Sequence, residues 1–387
     1  MNEWIGFPGL RAMGEEERQA LERVLERRAL YRGTGLCPPE EVEGCEEELA
    51  RLVGRKHVLM LNSGTSALVA ALHALGVGEG DEVIVPGYGW LTNVSSILYV
   101  GATPVFVPVG PGLCMDTAFL EQAVGPRTKA ITPIHSCGWP CDMDTIRGFA
   151  RKHGLAVLDD ASQALGSSAT WGDVTAYSFQ AFKIVTGGEG GALATDDTSL
   201  YLSAVRFHDA GLSRMARSRP KPSGPEVPVG LGLNLRMSEL EAALIRVQLR
   251  RLPHVRESLK KASRALLDAF APALAQGGVR HLTPPAGATD NGTFLLFEAA
   301  DARTAHAFDE ALRRAGCLIH PVSKDRTHGL PGWLEYLDAN HLSYRIVGRE
   351  TALERSERVL ALHVNWALTE TELAQVRAAM GAFLTSI

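Results

Sequence analysis

The sequence predicts an α/β protein, in which a large domain is built on a mostly parallel sheet of seven strands and a smaller α+β domain follows. Three observations lead to this prediction. Short runs that are apolar throughout recur along the first half of the chain, stretches with helical periodicity separate them, and Gly or Pro marks many of their ends. Strands that are apolar on both faces are typical of parallel sheets covered by helices on either side.

Two helices are predicted before the first strand. Hydrophobic residues recur at helical spacing over residues 14–32. A second helix is predicted over residues 38–52, where several Glu residues fall in the first turns and interact favourably with the helix dipole.

The strands and helices that follow alternate regularly. The predicted strands are 57–61, 82–86, 104–108, 129–135, 155–159, 175–179 and 191–195. The predicted helices are 66–75, 143–153, 237–252, a long helix after Pro253, 302–315 and 370–384. We therefore expect an N-terminal helical segment at residues 1–35, a large α/β domain at 36–250 and a small α+β domain at 251–387.

Composition excludes several classes of protein. The chain has 387 residues, 45% of them hydrophobic and 21% charged, which is ordinary for a globular enzyme. Its net charge of −5 argues against a nucleic acid or an anionic membrane as partner. No apolar run reaches the length of a membrane span, and the first residues do not resemble a secretory signal, so a cytoplasmic location is expected. Six scattered cysteines are expected to be reduced.

Four residues raise the alternative of a metal site, namely His135, Cys137, Cys141 and Asp142. No second cysteine pair accompanies them, and they fall where a strand is predicted to end in a loop. The sequence therefore predicts no metal.

Lys183 lies between an apolar run and the glycine-rich segment 187–191. Burial would disfavour its ammonium form and make the amine a candidate nucleophile, although the segment alone also fits a surface lysine on a hairpin. Asp160, at the end of the predicted strand 155–159, favours the first interpretation. A carboxylate at a strand end upstream of such a lysine is what pyridoxal 5′-phosphate requires at its ring nitrogen.

Other candidate ligands of such a cofactor also follow predicted strands. Gly64 and Thr65 would open a helix whose N-terminus could bind a phosphate, although they could equally be an ordinary helix cap. Trp90 could stack on an aromatic ring, Gln163 could bond a ring substituent, and Ser178 could reach the same phosphate. Segment 62–68, which contains Gly64 and Thr65, lacks the glycine spacing of a P-loop or of a dinucleotide-binding fingerprint.

These segments resemble the DegT/DnrJ/StrS family of pyridoxal-phosphate aminotransferases, which have the fold type I architecture. The resemblance covers nearly the whole chain in family order. The matching segments are 63–68, 78–86, 101–107, 159–166, 178–183, 188–191 and 234–236, followed by Glu239 and the pair Gln248-Leu249.

The resemblance implies a role for each candidate residue. Lys183 would hold the cofactor as a Schiff base, Asp160 would pair with the pyridinium nitrogen, Trp90 would stack on the ring, and Gln163 would contact its phenolic oxygen. Relatives that catalyse dehydration carry histidine at the lysine position, so Lys183 favours transamination.

The cofactor phosphate would lie between residues of two subunits. By the resemblance, Gly64, Thr65 and Ser178 hold it from one subunit and Asn234 reaches it from the neighbour. This implies a homodimer with shared active sites.

The predicted substrates are an amino donor, glutamine or glutamate, and a carbonyl acceptor, which would be a keto-sugar, a cyclitol ketone or a related compound of secondary metabolism. Gln180 stands where many nucleotide-sugar aminotransferases have His or Tyr, and with segment 362–366 it resembles the branch that acts on cyclitol ketones or makes aminohydroxybenzoate. Segment 166–173 is shorter than is usual, and Gly89 replaces a frequent threonine. The basic segment 208–221 is a candidate for binding a substrate carboxylate or phosphate.

Two alternatives to transamination remain open at the level of sequence. The same lysine and acid could support racemisation, elimination or retro-aldol cleavage on the same cofactor. A cofactor-binding regulator without turnover is the alternative from a different class of protein.

Overall fold

A computed structural model describes residues 7–32, 40–167, 172–211, 230–284, 287–321, 327–351 and 357–386. Helices within these ranges include α1 Pro8–Arg11, α2 Glu15–Arg27, α3 Glu41–Val53, α4 Gly64–Ala74, α5 Thr92–Tyr99, α6 Leu120–Ala123, α7 Met143–His153, α8 Thr198–His208, α9 Glu239–Gln276, α10 Ala302–Arg314, α11 Leu330–Ala339 and α12 Glu370–Ser386.

The strands form two separate sheets. Those of the first half of the chain are β1 His57–Leu61, β2 Glu82–Pro86, β3 Thr103–Val107, β4 Thr128–Ile131, β5 Ala156–Asp160, β6 Val174–Ser178 and β7 Gly191–Thr195. Those of the second half are β8 Val279–His281, β9 Phe294–Ala299, β10 Ile319–Pro321, β11 Arg345–Ile346 and β12 Val359–His363.

The large sheet has the strand order β1-β7-β6-β5-β4-β2-β3-β11. All seven predicted strands are present, and β7 alone among the described strands of this sheet runs against the rest. The α/β class with a mostly parallel sheet is therefore confirmed. The eighth strand, β11, was not predicted, because its two residues, paired with Val105 and Phe106 of β3, are too few to show any periodicity.

Burial explains why these runs form strands. β2 and β7 are buried at every position. The side chains of Val83, Ile84 and Val85 are fully buried, and each contributes about 1.5–3 kcal/mol relative to an exposed position. Such strands are stable only between two layers of helices, as their composition predicted.

The second sheet is antiparallel throughout, with the order β10-β12-β9-β8. A hydrophobic cluster runs from α3 through α9 to this sheet and to the last helix, with Leu49, Leu259, Phe297 and Phe383 among its buried members. The domain boundary predicted between residues 250 and 251 falls inside α9, which runs from Glu239 to Gln276. The division of the chain into domains stays a prediction.

Helix α9 corrects one prediction from the sequence. Separate helices were expected before and after Pro253, but one helix runs through Pro253 and Pro272. A proline inside a helix costs about 3 kcal/mol. Burial of the neighbouring Leu252 and Val255 offsets this cost, which a local pattern cannot reveal.

Two predicted boundaries are also corrected. The helix expected to reach residue 32 ends at Arg27, because Arg28 has a φ of 56°, the left-handed conformation that terminates helices. The strand expected at residues 129–135 is β4 and ends at Ile131, since Pro133 has no N–H to continue the ladder.

Candidate active site

The carboxyl ends of β1, β2, β5 and β6 meet at one edge of the large sheet. Ligands of open α/β sheets bind at this edge. The predicted site residues other than Asn234 follow these four strand ends, so the fold brings them to one region.

Lys183 lies in the turns that follow β6, where its N–H donates to the carbonyl of Gln180 at 2.9 Å. Its side chain is half-buried. Burial lowers the pKa of the Lys183 amine, and the nearby carboxylate of Asp160 opposes this effect. A larger fraction of the amine is therefore neutral, and so nucleophilic, than for an exposed lysine.

Asp160 ends β5 and is 4% exposed. Its Oδ2 accepts a hydrogen bond of 2.8 Å from Nδ2 of Asn93, and its Oδ1 accepts one of 2.8 Å from the N–H of Ser162. The carboxylate is therefore held in one orientation at the carboxyl edge of the sheet.

Asn93 is a site residue that sequence reasoning missed. It lies in the first turn of α5, is 2% exposed, and donates to the carbonyl of Trp90 at 3.2 Å as well as to Asp160. The sequence showed only an asparagine near a predicted strand end, and such residues are common in turns and helix caps. Only the folded chain reveals that it joins the loop of Trp90 to the acid.

The indole of Trp90 is 48% exposed, which leaves ring surface open to a ligand. The imidazole of His328 lies beside it, with ring centroids 4.7 Å apart, and the N–H of Gly89 donates to the carbonyl of His328 at 2.9 Å. His328 is a second residue that the sequence did not single out. It comes from a segment more than two hundred residues away, a separation that no local pattern bridges.

The start of α4 provides donors for an anion. Ser63 caps the helix by accepting a 3.0 Å hydrogen bond from the N–H of Ser66, which leaves the first-turn N–H groups of Gly64 and Thr65 beyond the reach of intrahelical acceptors. A Cβ at Gly64 would come within 2.8 Å of Cβ of Ser178. The glycine therefore allows the Ser178 hydroxyl to approach the helix N-terminus closely.

Gln163 lies in a run of turns rather than in the helix that its spacing from Asp160 suggested. Its Oε1 accepts a 2.6 Å hydrogen bond from the N–H of Cys137. Its Nε2, the donor end of the same amide, is therefore directed away from Cys137. Asn291 fixes the backbone, since its Nδ2 donates to the carbonyl of Gln163 at 2.7 Å.

Asn234 differs from the other predicted residues. It lies on an exposed segment, and its backbone forms an isolated bridge with Asp209. The adjacent carbonyl of Leu235 accepts a 2.9 Å hydrogen bond from the N–H of Asn62, just before α4. The side chain of Asn234 is therefore accessible from outside the chain.

The residues that suggested a metal have other partners. Nδ1 of His135 accepts from the N–H of Cys141 at 3.0 Å, and Oδ1 of Asp142 caps α7 by accepting from the N–H of Thr145 at 3.1 Å. Within the part of the chain that the structure describes, no group of three or more potential ligands could hold a metal ion. The five cysteines of that part are buried free thiols.

The basic side chains of the predicted anion-binding segment 208–221 lie outside the described residues, namely Arg214, Arg217, Arg219 and Lys221.

Among the described helices, none combines the length and the apolar character that crossing a bilayer requires.

The chemistry of these residues fits pyridoxal 5′-phosphate. A helix N-terminus with hydroxyl groups suits the phosphate, a desolvated amine suits the aldehyde, and a buried carboxylate suits the ring nitrogen. The close approach of Ser178 to Gly64, which brings a hydroxyl to the helix N-terminus, is the clearest geometrical sign of this fit.

Comparison with known proteins matches residues 11–381 to the DegT/DnrJ/EryC1/StrS aminotransferase family. The chain is 38% identical over 272 residues to the spore coat polysaccharide biosynthesis protein SpsC of Bacillus subtilis (strain 168), a match that covers 67% of each chain.

Solved structures show the same architecture. An aminotransferase from Psychrobacter cryohalolentis is 28% identical, with a TM-score of 0.84 over 98% of this chain and 99% of that one. 3-Amino-5-hydroxybenzoic acid (AHBA) synthase is 26% identical, with a TM-score of 0.80 over 98% and 99% of the two chains. The aminotransferase TlmJ from Streptoalloteichus hindustanus is 26% identical, with a TM-score of 0.81 over 98% of each chain.

Proposed function

The chain belongs to the DegT/DnrJ/EryC1/StrS aminotransferase family, whose enzymes depend on pyridoxal 5′-phosphate, and on that premise we propose its reaction and the roles of its residues. The protein moves an amino group from glutamine or glutamate to a keto-sugar, a cyclitol ketone or a related carbonyl compound. The observation that carries this proposal is the pairing of the Lys183 amine, whose pKa burial lowers, with the buried carboxylate of Asp160.

Asp160 would pair with the cofactor's ring nitrogen and keep a proton on it. When bound, pyridoxal 5′-phosphate supplies an aldehyde that condenses with amines and a ring that accepts the electron pair left by removal of an α proton. A carboxylate held by Asn93 and by the N–H of Ser162 is oriented to hydrogen-bond that nitrogen. Its negative charge favours the protonated ring and so increases the electron demand on which the reaction depends.

Lys183 acts as the catalytic base and acid. Its Nζ takes the α proton of the amino donor and later returns a proton on the path to the keto acid. The lowered pKa brings the amine closer to the working pH, where one group can serve in both directions.

The remaining residues bind and orient the cofactor. The N–H groups of Gly64 and Thr65 and the hydroxyl of Ser178 would hold the phosphate, and the indole of Trp90 would stack on the ring. The Nε2 of Gln163 would donate to the phenolic oxygen, since its Oε1 already accepts from the N–H of Cys137.

A second subunit completes the site in this proposal. Asn234 reaches the phosphate of the neighbouring subunit in a homodimer, and its exposure supports this role. We also propose that the enzyme works in the cytoplasm.

The names of relatives support the class of acceptor. SpsC is a protein of spore coat polysaccharide biosynthesis, and AHBA synthase is named for an aminated aromatic product. We therefore propose that the chain acts in the biosynthesis of an aminated sugar, cyclitol or related secondary metabolite.

The test is to incubate the purified protein with glutamine or glutamate and a panel of ketones, and to measure the 2-oxo acid and the aminated product. Formation of both in equal amounts, and their loss in Lys183→Ala, is the expected result. Release of ammonia, cleavage of a carbon–carbon bond or racemisation of the donor, without amination of any ketone, would contradict transamination.

A further inference from the structure

Residues 7–12, which we call the N-terminal strap, lie across the turn that carries Lys183. The N–H of Gly9 donates to the carbonyl oxygen of Lys183 at 3.2 Å. The ring of Phe7 packs on that of Phe182, with centroids 4.4 Å apart. The strap therefore contacts both the lysine and the residue before it.

The contact at Gly9 leaves no room for a side chain. A Cβ at this position would lie 2.6 Å from the carbonyl oxygen of Lys183 and 2.9 Å from Cγ2 of Thr186. Since the first of these atoms belongs to the backbone, a larger residue would have to displace either the strap or the lysine turn.

Gln248 of α9 fastens the strap to the same turn. Its side chain is 2% exposed, its Oε1 accepts from the N–H of Thr186 at 2.8 Å, and its Nε2 donates to the carbonyl of Gly9 at 3.1 Å. The Gln248 amide thus bonds both the lysine turn and the strap. The hydrogen bond from the N–H of Gly9 to the carbonyl of Lys183 joins the same two segments directly. Loss of either bond would leave a buried polar group without its partner.

Helix α9 holds the strap at a second point. The guanidinium of Arg251, one turn after Gln248, donates to the carbonyl of Ala12 and to Oε1 of Glu17, the latter at 2.9 Å. The strap is therefore anchored at its middle and at its end by the same helix face.

We propose that Gly9 and Gln248 are positioning residues that fix the backbone of Lys183 and thereby aim its amine. This inference rests on the proposed role of Lys183. A catalytic group has to be held to within about 0.5 Å, and a displacement of about 1 Å can cost on the order of a hundredfold in rate. A lysine on a turn needs external contacts to meet that tolerance, and the strap supplies them.

The experiment uses the full chain and two variants of different kinds. Gly9→Ala introduces the clash, whereas Gln248→Glu can still accept from Thr186 but no longer donates to Gly9. Gly14→Ala is the matched control, because a Cβ there meets nothing within 4 Å. The dissociation constant of pyridoxal 5′-phosphate is measured for each variant with Lys183 intact and again in a Lys183→Ala background, together with kcat and the melting temperature.

If the strap acts through the lysine, each variant weakens cofactor binding about tenfold with Lys183 intact and less than about twofold in the Lys183→Ala background, as a coupled pair requires. kcat falls and KM for the donor is unchanged, while Gly14→Ala matches the wild type. Equal weakening in both backgrounds, or none in either, would overturn the inference. If Lys183→Ala alone left cofactor binding and turnover intact, the proposed function itself would fail instead.

Discussion

Asn93 joins the acid of the site to the loop of Trp90, which makes it the most informative single side chain to replace. We expect Asn93→Ala to lower kcat by about 10- to 100-fold, because a hydrogen bond to a charged group is worth about 1.5–3 kcal/mol. Steady-state kinetics at saturating substrate would measure the loss. Asn340→Ala is the control, since that side chain is exposed and bonds only its own helix end in the described structure, at the carbonyl of Tyr336. An unchanged kcat in Asn93→Ala would remove Asn93 from the site.

His208 makes the stability of the protein sensitive to acid. Burial lowers the pKa of His208 to about 3 from 6.5, and the cations of Arg32 and Arg236 add to the effect. The unfolded chain therefore binds the extra proton first, so stability falls as the pH drops below about 6.5.

Lowering the pH from 7 to 5 should cost about 2 kcal/mol through His208 alone. His208→Gln, which cannot be protonated, should reduce the pH dependence of the free energy of unfolding by that amount. Urea unfolding at both pH values measures it. Identical pH dependence in variant and wild type would show that another group dominates.

Helix α9 connects the parts of the fold that surround the site. At its start the buried carboxylate of Glu239 accepts hydrogen bonds from the N–H groups of Glu40, Glu41 and Val42 at 3.0, 2.7 and 3.3 Å. Glu239 thus caps the N-terminus of α3, although it lies far from that helix in the sequence. Further along, Gln248 binds the lysine turn and the strap. One helix therefore fixes two segments that are far apart in sequence.

Replacing Glu239 by Ala should destabilise the protein by about 2–3 kcal/mol, because the N–H groups at the start of α3 lose their buried acceptor. The midpoint of urea unfolding measures this. Glu257→Ala on the same helix is the control, since its carboxylate lies on the surface beside Lys260 and should leave the midpoint unchanged. A Glu239→Ala variant as stable as that control would contradict the capping role.

Local patterns predicted the strands and the residues at their ends. A strand buried on both faces and the turn that follows it each depend on residues that are adjacent in sequence. They did not predict the continuity of α9 through Pro253, which depends on packing against distant elements. Asn93, His328 and Gly9 were missed for a related reason. Each acts through a partner brought close only by the folded chain, and nothing in its own neighbourhood distinguishes it.

Sharing of sites between subunits can be tested by mixing two inactive variants. If Asn234 serves the neighbouring subunit, a hybrid of Lys183→Ala and Asn234→Ala subunits contains one intact site, whereas neither parent dimer has any. Random mixing should then restore about one quarter of wild-type activity, since about half the dimers are hybrids with one working site each. The measurement is activity after joint refolding or co-expression. Activity no higher than that of the parents would place Asn234 in the site of its own subunit, or outside it.

The covalent role of Lys183 is tested most directly by reducing the protein with borohydride in the presence of pyridoxal 5′-phosphate and locating the modified residue by peptide mass spectrometry. We expect one phosphopyridoxyl group per chain, attached to Lys183 and absent from the Lys183→Ala variant. Attachment to a different lysine, or full activity without any attachment, would contradict it.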